Sequence, residues 1–192
     1  MQVLQAAGQP LGAHQPGYRL VDVLEQLHRE GIVHCDVKPS NIGYTREGVI
    51  KLFDFGLARH AQAAPADVSS AAGDGTKSPL DSVGNLAGTP FYMSPEAIRG
   101  VRPEPGFDWW ALSVVLFEAL AGRRPFDGAD TPDVLASILF RPAPSLQQFR
   151  PDLPADVSTF FTAALDQTPS RRPATGAAFR SAVASLRDFR SH

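Results

Sequence analysis

Apolar positions along this chain fall into two kinds of spacing. In Tyr18–Glu30, Leu20, Val23, Leu24 and Leu27 recur three and four apart, which predicts an amphipathic helix that Gly31 ends. Ile42, a turn predicted at Arg46-Glu47-Gly48 and the apolar-rich Val49-Ile50-Lys51-Leu52-Phe53 read as a β-hairpin. Phe107–Gly122 is apolar nearly all round, the mark of a fully buried helix, and Gly122 closes it. Three further helical patterns follow. Pro132–Phe140 is short, Ala155–Leu165 puts Val157, Phe160, Phe161, Ala164 and Leu165 on one face, and Thr175–Phe189 shows Phe179, Ala182, Val183 and Leu186. Between the hairpin and the buried helix, His60–Leu86 is rich in Ala, Pro, Ser, Gly and Asp and nearly free of large apolar residues. Such a segment cannot bury enough surface to offset its ordering entropy, so a mobile loop is expected.

The 192 residues suit one domain, large enough to bury roughly 70% of its unfolded surface. A net charge of −2 gives no argument for a nucleic-acid or membrane surface. The apolar stretch Phe107–Gly122 is interrupted by Asp108 and Glu118 and is 16 residues long, where a membrane span needs about 20. Cys35 is the one cysteine, so no intrachain disulfide forms. With no leader pattern at the N-terminus, a reducing, cytoplasmic setting is expected.

Chemistry concentrates between Ile32 and Gly56. Asp36 and Asn41 lie five apart around Pro39, so the segment is a constrained loop, and the hairpin carries Asp54 back beside Asn41. Two carboxylates and an amide offer oxygen ligands of the kind Mg²⁺ prefers. Lys38 adds a point charge able to neutralise phosphate, and Asp36 a carboxylate placed to orient a hydroxyl. Phosphoryl transfer needs these parts, because positioning and charge stabilisation supply most of the catalysis.

The stretch resembles the catalytic and metal loops of the eukaryotic-type protein serine/threonine kinase family. His34-Cys35-Asp36-Val37-Lys38-Pro39-Ser40-Asn41 matches H-R-D-x-K-P-x-N except at Cys35; Asp54-Phe55-Gly56 matches D-F-G, and Ser94-Pro95-Glu96 stands where the family has A-P-E. The resemblance implies an α+β kinase-like fold: a mainly α-helical C-lobe with a short β-hairpin carrying the metal loop. It would fill 1–192, with 18–56 as catalytic-loop helix, catalytic loop and metal loop, 57–96 as activation and substrate-docking segment, and 107–189 as helical subdomain. It implies ATP and Mg²⁺ as cofactors and a protein substrate with a Ser/Thr acceptor. Asp36 would take the hydroxyl proton, Lys38 would meet the transferred phosphoryl group, and Asn41 and Asp54 would hold the metal. Thr89, in Gly88-Thr89-Pro90, would bond Asp36 and Lys38 and, with Lys38, favours Ser/Thr over Tyr. His34, Glu96, Asp108 and Arg172 would be structural supports, Asp108 accepting loop N–H groups and Arg172 pairing with Glu96.

Two departures qualify the resemblance. No glycine-rich G-x-G-x-x-G loop and no strand lysine precede Lys38, and Glu25 and Glu30 belong to the catalytic-loop helix. The N-terminal lobe is therefore expected to be missing, either because the gene product is longer or because the lobe is degenerate. The alternative function is a non-catalytic, pseudokinase-like scaffold. Cys35 replaces the arginine that usually receives an activation-loop phosphate. Phosphorylation at Ser69, Ser70, Thr76, Ser78 or Ser82 then has no evident charge partner beside Asp36, with Arg59 the first substitute.

Overall fold

The computed structural model of the chain describes residues 16–46, 48–61 and 90–190. The turn residue Glu47, the five candidate phosphorylation sites, Thr89 and residues 1–15 lie outside the described residues. In chain order the described elements are α1 (Pro16–Arg29), β1 (Ile32–Val33), β2 (Ile42–Tyr44), β3 (Ile50–Leu52), β4 (Arg59–His60), α2 (Pro95–Ile98), α3 (Pro105–Ala121), α4 (Thr131–Phe140), α5 (Ala155–Ala164) and α6 (Gly176–Arg190). The described residues are mainly helical and include two small antiparallel sheets: β1 pairs with β4 and β2 with β3. In the hairpin Ile42 faces Leu52 and Tyr44 faces Ile50. No helix among the described residues is long and apolar enough to cross a membrane.

Local chemistry sets the helix ends. α2 begins at Ser94, whose hydroxyl accepts the Ala97 N–H, with Pro95 at the first helical position. α4 begins at Asp130, whose carboxylate accepts the Asp133 N–H. α3 ends at Gly122, which takes the left-handed conformation with φ 71° and returns its N–H to the Glu118 carbonyl.

α3 is buried because it serves two apolar clusters at once. Trp110, Val114 and Phe117 recur at helical spacing along one side and pack with Val134 and Ile138 of α4 and Val157 and Phe161 of α5. Trp109, Leu112 and Val115 face another side and pack with Leu20, Val21 and Leu24 of α1, the hairpin residues Ile42, Ile50 and Leu52, and Phe179 of α6. The stripe of α1 is turned slightly from the expected one: Val21 is fully buried, while Val23 is partly buried. α6 starts so close to α1 that a Cβ on Gly176 would fall 2.2 Å from Glu25 Oε1 and 2.8 Å from Val21 Cγ1. A Cβ there would have to displace the Glu25 carboxylate and Val21. One turn later Arg180 grips α1, donating to both Glu25 oxygens at 2.8 and 3.0 Å and to Asp22 at 2.9 Å.

A second ion pair is enclosed. Arg172 donates from Nη1 and Nη2 to the two oxygens of Glu96 at 2.6 and 2.9 Å, and the side chains are 7% and 6% exposed. Its Nε donates to the Asp166 carbonyl at 2.6 Å and Nη2 also to the Gln167 carbonyl at 3.3 Å, while the guanidinium carbon lies 4.5 Å from the Trp110 ring centroid. Four of the five guanidinium N–H groups are thus used, and the fork is tied at once to α2, α3 and the turn before α6.

Two outcomes are expected. Glu96→Gln and Arg172→Ala should each lower unfolding free energy by about 3–5 kcal/mol in denaturant melts, because each leaves a buried charge without its partner. A loss under about 1 kcal/mol in both, the scale of an exposed pair, would refute the tie. At the other pair, hydrogen bonding from Arg180 holds the Glu25 carboxyl below its ordinary value of 4.5. A depressed folded pKa contributes stability above the unfolded value and loses it as pH falls through the folded one. Acid titration of stability below pH 4.5 should therefore be shallower in Glu25→Gln than in the parent chain.

Candidate active site

The candidate loop hangs from one buried carboxylate. Asp108, in the first turn of α3, has no exposed surface. Its Oδ2 accepts the His34 N–H at 2.9 Å, its Oδ1 the Cys35 N–H at 2.9 Å, and Oδ2 also meets His28 Nε2 at 2.8 Å. Three donors and the positive end of α3 compensate a charge that burial alone would expel. The two backbone N–H groups so held sit where the chain leaves β1, and Cys35 takes φ 65°, in the left-handed region. Asp54 does the same at φ 61°. Non-glycine residues in this region cost about 1–3 kcal/mol each and persist only where surrounding contacts over-determine them. At Cys35 the Asp108 bonds do so.

Beyond Cys35 the side chains converge on Asp36. Its Oδ2 accepts Lys38 Nζ at 2.7 Å and Asn41 Nδ2 at 2.9 Å, and Asn41 Nδ2 also donates to the Asp36 carbonyl at 2.8 Å. A single 3₁₀ turn over Pro39–Asn41 closes this ring, with the Asn41 N–H on the Lys38 carbonyl at 2.9 Å. A carboxylate anchored through one oxygen keeps the other for a further donor such as a hydroxyl.

His34 joins this group to the second carboxylate segment. The ring is fully buried, Nδ1 accepts the Asp36 N–H at 3.2 Å, and Nε2 donates to the Phe53 carbonyl at 3.1 Å. The two partners fix the proton on Nε2. Phe55 packs edge-on against the same ring at 4.8 Å between centroids. The Phe53 N–H also bonds to the Asn41 carbonyl at 2.8 Å, so Asp54 follows directly on a residue held at both its polar groups. Among the described residues no hydrogen bond joins Asp54 to Asp36, Lys38 or Asn41; its Oδ1 accepts the Gly56 N–H at 3.2 Å. Nor does any group of three or more His, Cys, Asp or Glu side chains converge as a metal centre among them. Because Asn41 spends its Nδ2 on Asp36, its amide oxygen is turned into the acceptor of the pair. That oxygen and the exposed Asp54 carboxylate are hard-oxygen donors of the kind Mg²⁺ prefers, and these two residues could hold such an ion.

Sequence reasoning missed three features nearby. His28 was read only as part of a helix. Tyr92, two residues before the Ser94 cap of α2, donates its hydroxyl to Glu118 of α3 at 2.6 Å; burial and that carboxylate push its phenol well above the ordinary range. Arg124 lies over the Phe91 ring at 3.3 Å. The charges of Asp108 and Glu118 inside an apolar run were the available signal.

Cys35 generates a prediction. Burial first, then the charge of Asp108, pushes its thiol up to about 12, with Asp36 adding and Arg59 opposing. Only roughly 10⁻⁴ of it is thiolate near pH 8, so alkylation by iodoacetamide should run about a thousandfold slower than for a free thiol. In urea it should recover the ordinary rate; a normal rate in the folded chain would contradict the burial.

Comparison with known proteins agrees with the geometry. Residues 12–183 match the protein kinase domain. The chain is 35% identical over 174 residues to serine/threonine-protein kinase PknA of Mycobacterium tuberculosis (strain ATCC 25618 / H37Rv), which covers 87% of this chain and 36% of that protein. It is 33% identical over 178 residues to serine/threonine-protein kinases drp72 of Corynebacterium efficiens, covering 87% and 30%. To serine/threonine-protein kinase PknK of the same mycobacterial strain it is 36% identical over 164 residues, covering 84% and 13%. The chain thus spans 36% or less of the length of these relatives. It belongs to the protein kinase family, in its eukaryotic-type serine/threonine branch.

Proposed function

We propose that this chain is the catalytic C-lobe of a protein serine/threonine kinase, transferring the γ-phosphoryl group of ATP to Ser/Thr hydroxyls of a protein substrate. The observation that carries the reading is the Asp36–Lys38–Asn41 ring, held to the Asp54 segment through His34. Asp36, with one oxygen anchored, orients the acceptor hydroxyl and takes its proton. Lys38, partly exposed beside Asp36, neutralises the transferring group. Asn41 and Asp54 would hold Mg²⁺, which when bound would supply positive charge against the phosphate oxygens. The hairpin that delivers Asp54 is the metal loop in this reading.

Phe53, Phe55 and Leu57 flank Asp54 and are 46%, 47% and 50% exposed. Apolar groups gathered beside a charged site suit a covering element, and an N-terminal lobe is that element here. Without it the nucleotide phosphates stay hydrated, and each charge contact is worth about 1 kcal/mol instead of about 4 at intermediate dielectric.

The chain alone should give no saturable heat with micromolar Mg-ATP and no radiolabel transfer to protein. With a kinase N-terminal lobe fused ahead of Met1, transfer to Ser/Thr should appear, and Asp36→Asn should lower it about 10²–10⁴-fold. Nucleotide binding without transfer in the fusion would leave the pseudokinase-like scaffold. Asp36-dependent transfer by the isolated chain would show that no covering lobe is needed.

A further inference from the structure

We propose that the cavity at the start of α3 is a binding site for a small neutral molecule that joins an aromatic ring to a carboxamide. Nothing in this depends on the kinase reading, and no residue of the Asp36 loop or the Asp54 segment lines the cavity. It holds about 260 Å³ and lies among the turn into α3, the turn before α6 and α6 itself. Trp109 and Phe179 supply aromatic wall, and Pro105, Pro169 and Pro173 supply rigid aliphatic wall. Ligand pockets commonly run from about 300 Å³ upward, so this volume suits one ring with a short substituent. Apolar walls with a few polar groups among them are what such pockets use to bind and to orient.

Three polar groups of the lining have capacity that the described residues do not use. Trp110 is fully buried, yet its Nε1 has no hydrogen-bond partner among them. A buried indole N–H normally finds one, and leaving it unpaired is costly. Phe126 stacks on this indole at 5.5 Å and the Arg172 guanidinium lies over it at 4.5 Å, so the ring offers the cavity its rim, where Nε1 sits. Arg172 spends four N–H groups on Glu96, Asp166 and Gln167, and one on Nη1 remains. Glu104, exposed at the mouth, caps no N–H of α3; its Oε1 leans over Gly106, 3.5 Å from where a Cβ would sit. Two unspent donors call for an acceptor oxygen, and the carboxylate calls for an N–H. A primary aromatic carboxamide carries both beside a ring for the apolar walls. An anion fits less well, because Glu96 already answers the Arg172 charge and Glu104 would repel it.

The test titrates the full chain with benzamide and follows the indole N–H signals by proton–nitrogen correlation spectra. With two tryptophans in the chain, there are two such signals, and contact with Phe126 identifies that of Trp110. The Trp110 signal should be displaced saturably with a Kd of about 1 mM, as expected of a ligand of about nine heavy atoms. Toluene, which has the ring without the amide, should bind about tenfold more weakly or worse. Two variants place the site: Ala174→Phe, which fills the cavity from an exposed lining position, should abolish the displacement, and Glu104→Ala should raise the Kd about tenfold. A Trp110 signal that stays in place up to 10 mM benzamide (about ten times the expected Kd) would overturn the proposal. So would toluene binding as tightly as benzamide, or a displacement that both variants leave unchanged. If Ala174→Phe fails to fold by circular dichroism, Glu104→Ala decides alone: a weakened Kd supports the site and an unchanged one overturns it. No readout requires phosphoryl transfer, so a chain that transfers nothing leaves this test intact.

Discussion

A charge without access to water must be surrounded by donors, and Asp108 is such a charge. Its carboxylate draws one donor from a helix and two from a loop, and the loop is shaped by having to supply them. The left-handed backbone at Cys35 follows from presenting two consecutive N–H groups to one carboxylate. Asp36, Lys38 and Asn41 then close on each other one residue further on. The arrangement is less a rigid loop carrying catalytic groups than a loop made rigid by a distant acid.

The first turn of α3 concentrates more than this. Asp108, Trp109 and Trp110 are consecutive and each serves a different neighbour. Asp108 holds the loop, Trp109 packs on His28 and Phe179, and Trp110 carries the Arg172 guanidinium on its face. The Arg172 fork fixes Glu96 and hence α2. The loop and α2, far apart in the chain, are thereby referred to a single turn of helix. Packing at that density admits few small displacements.

Much of this framework was legible in the sequence because helical patterning is a local property. The stripe Leu20, Leu24, Leu27 and the apolar run from Phe107 give their helices directly, and the hairpin announces itself through its turn. Strands of two residues, such as β1 and β4, have no period to read. Glu25 was legible only as a helix residue unsuited to pairing with a strand lysine; its partner, Arg180, lies 155 positions away. The motif around Asp36 named the chemistry but not the reason for His34, which lies in bonds from one ring to Asp36 and Phe53. Nothing in the residue type forecasts a left-handed Cys35, since cysteine has no special tolerance for that conformation.

The long reach of the Asp108 bonds also bears on how the chain comes to be folded. His34 and Cys35 are followed 74 and 73 residues later by the side chain that organises them. On a ribosome, adding about 5–20 residues each second, the loop emerges seconds before its anchor exists. During that interval α1 and the hairpin can form from local contacts, but the segment between them has no acid to gather around. The centre of the molecule is therefore specified only once the start of α3 has been made, and any nascent chain halted before α3 carries the motif without its shape.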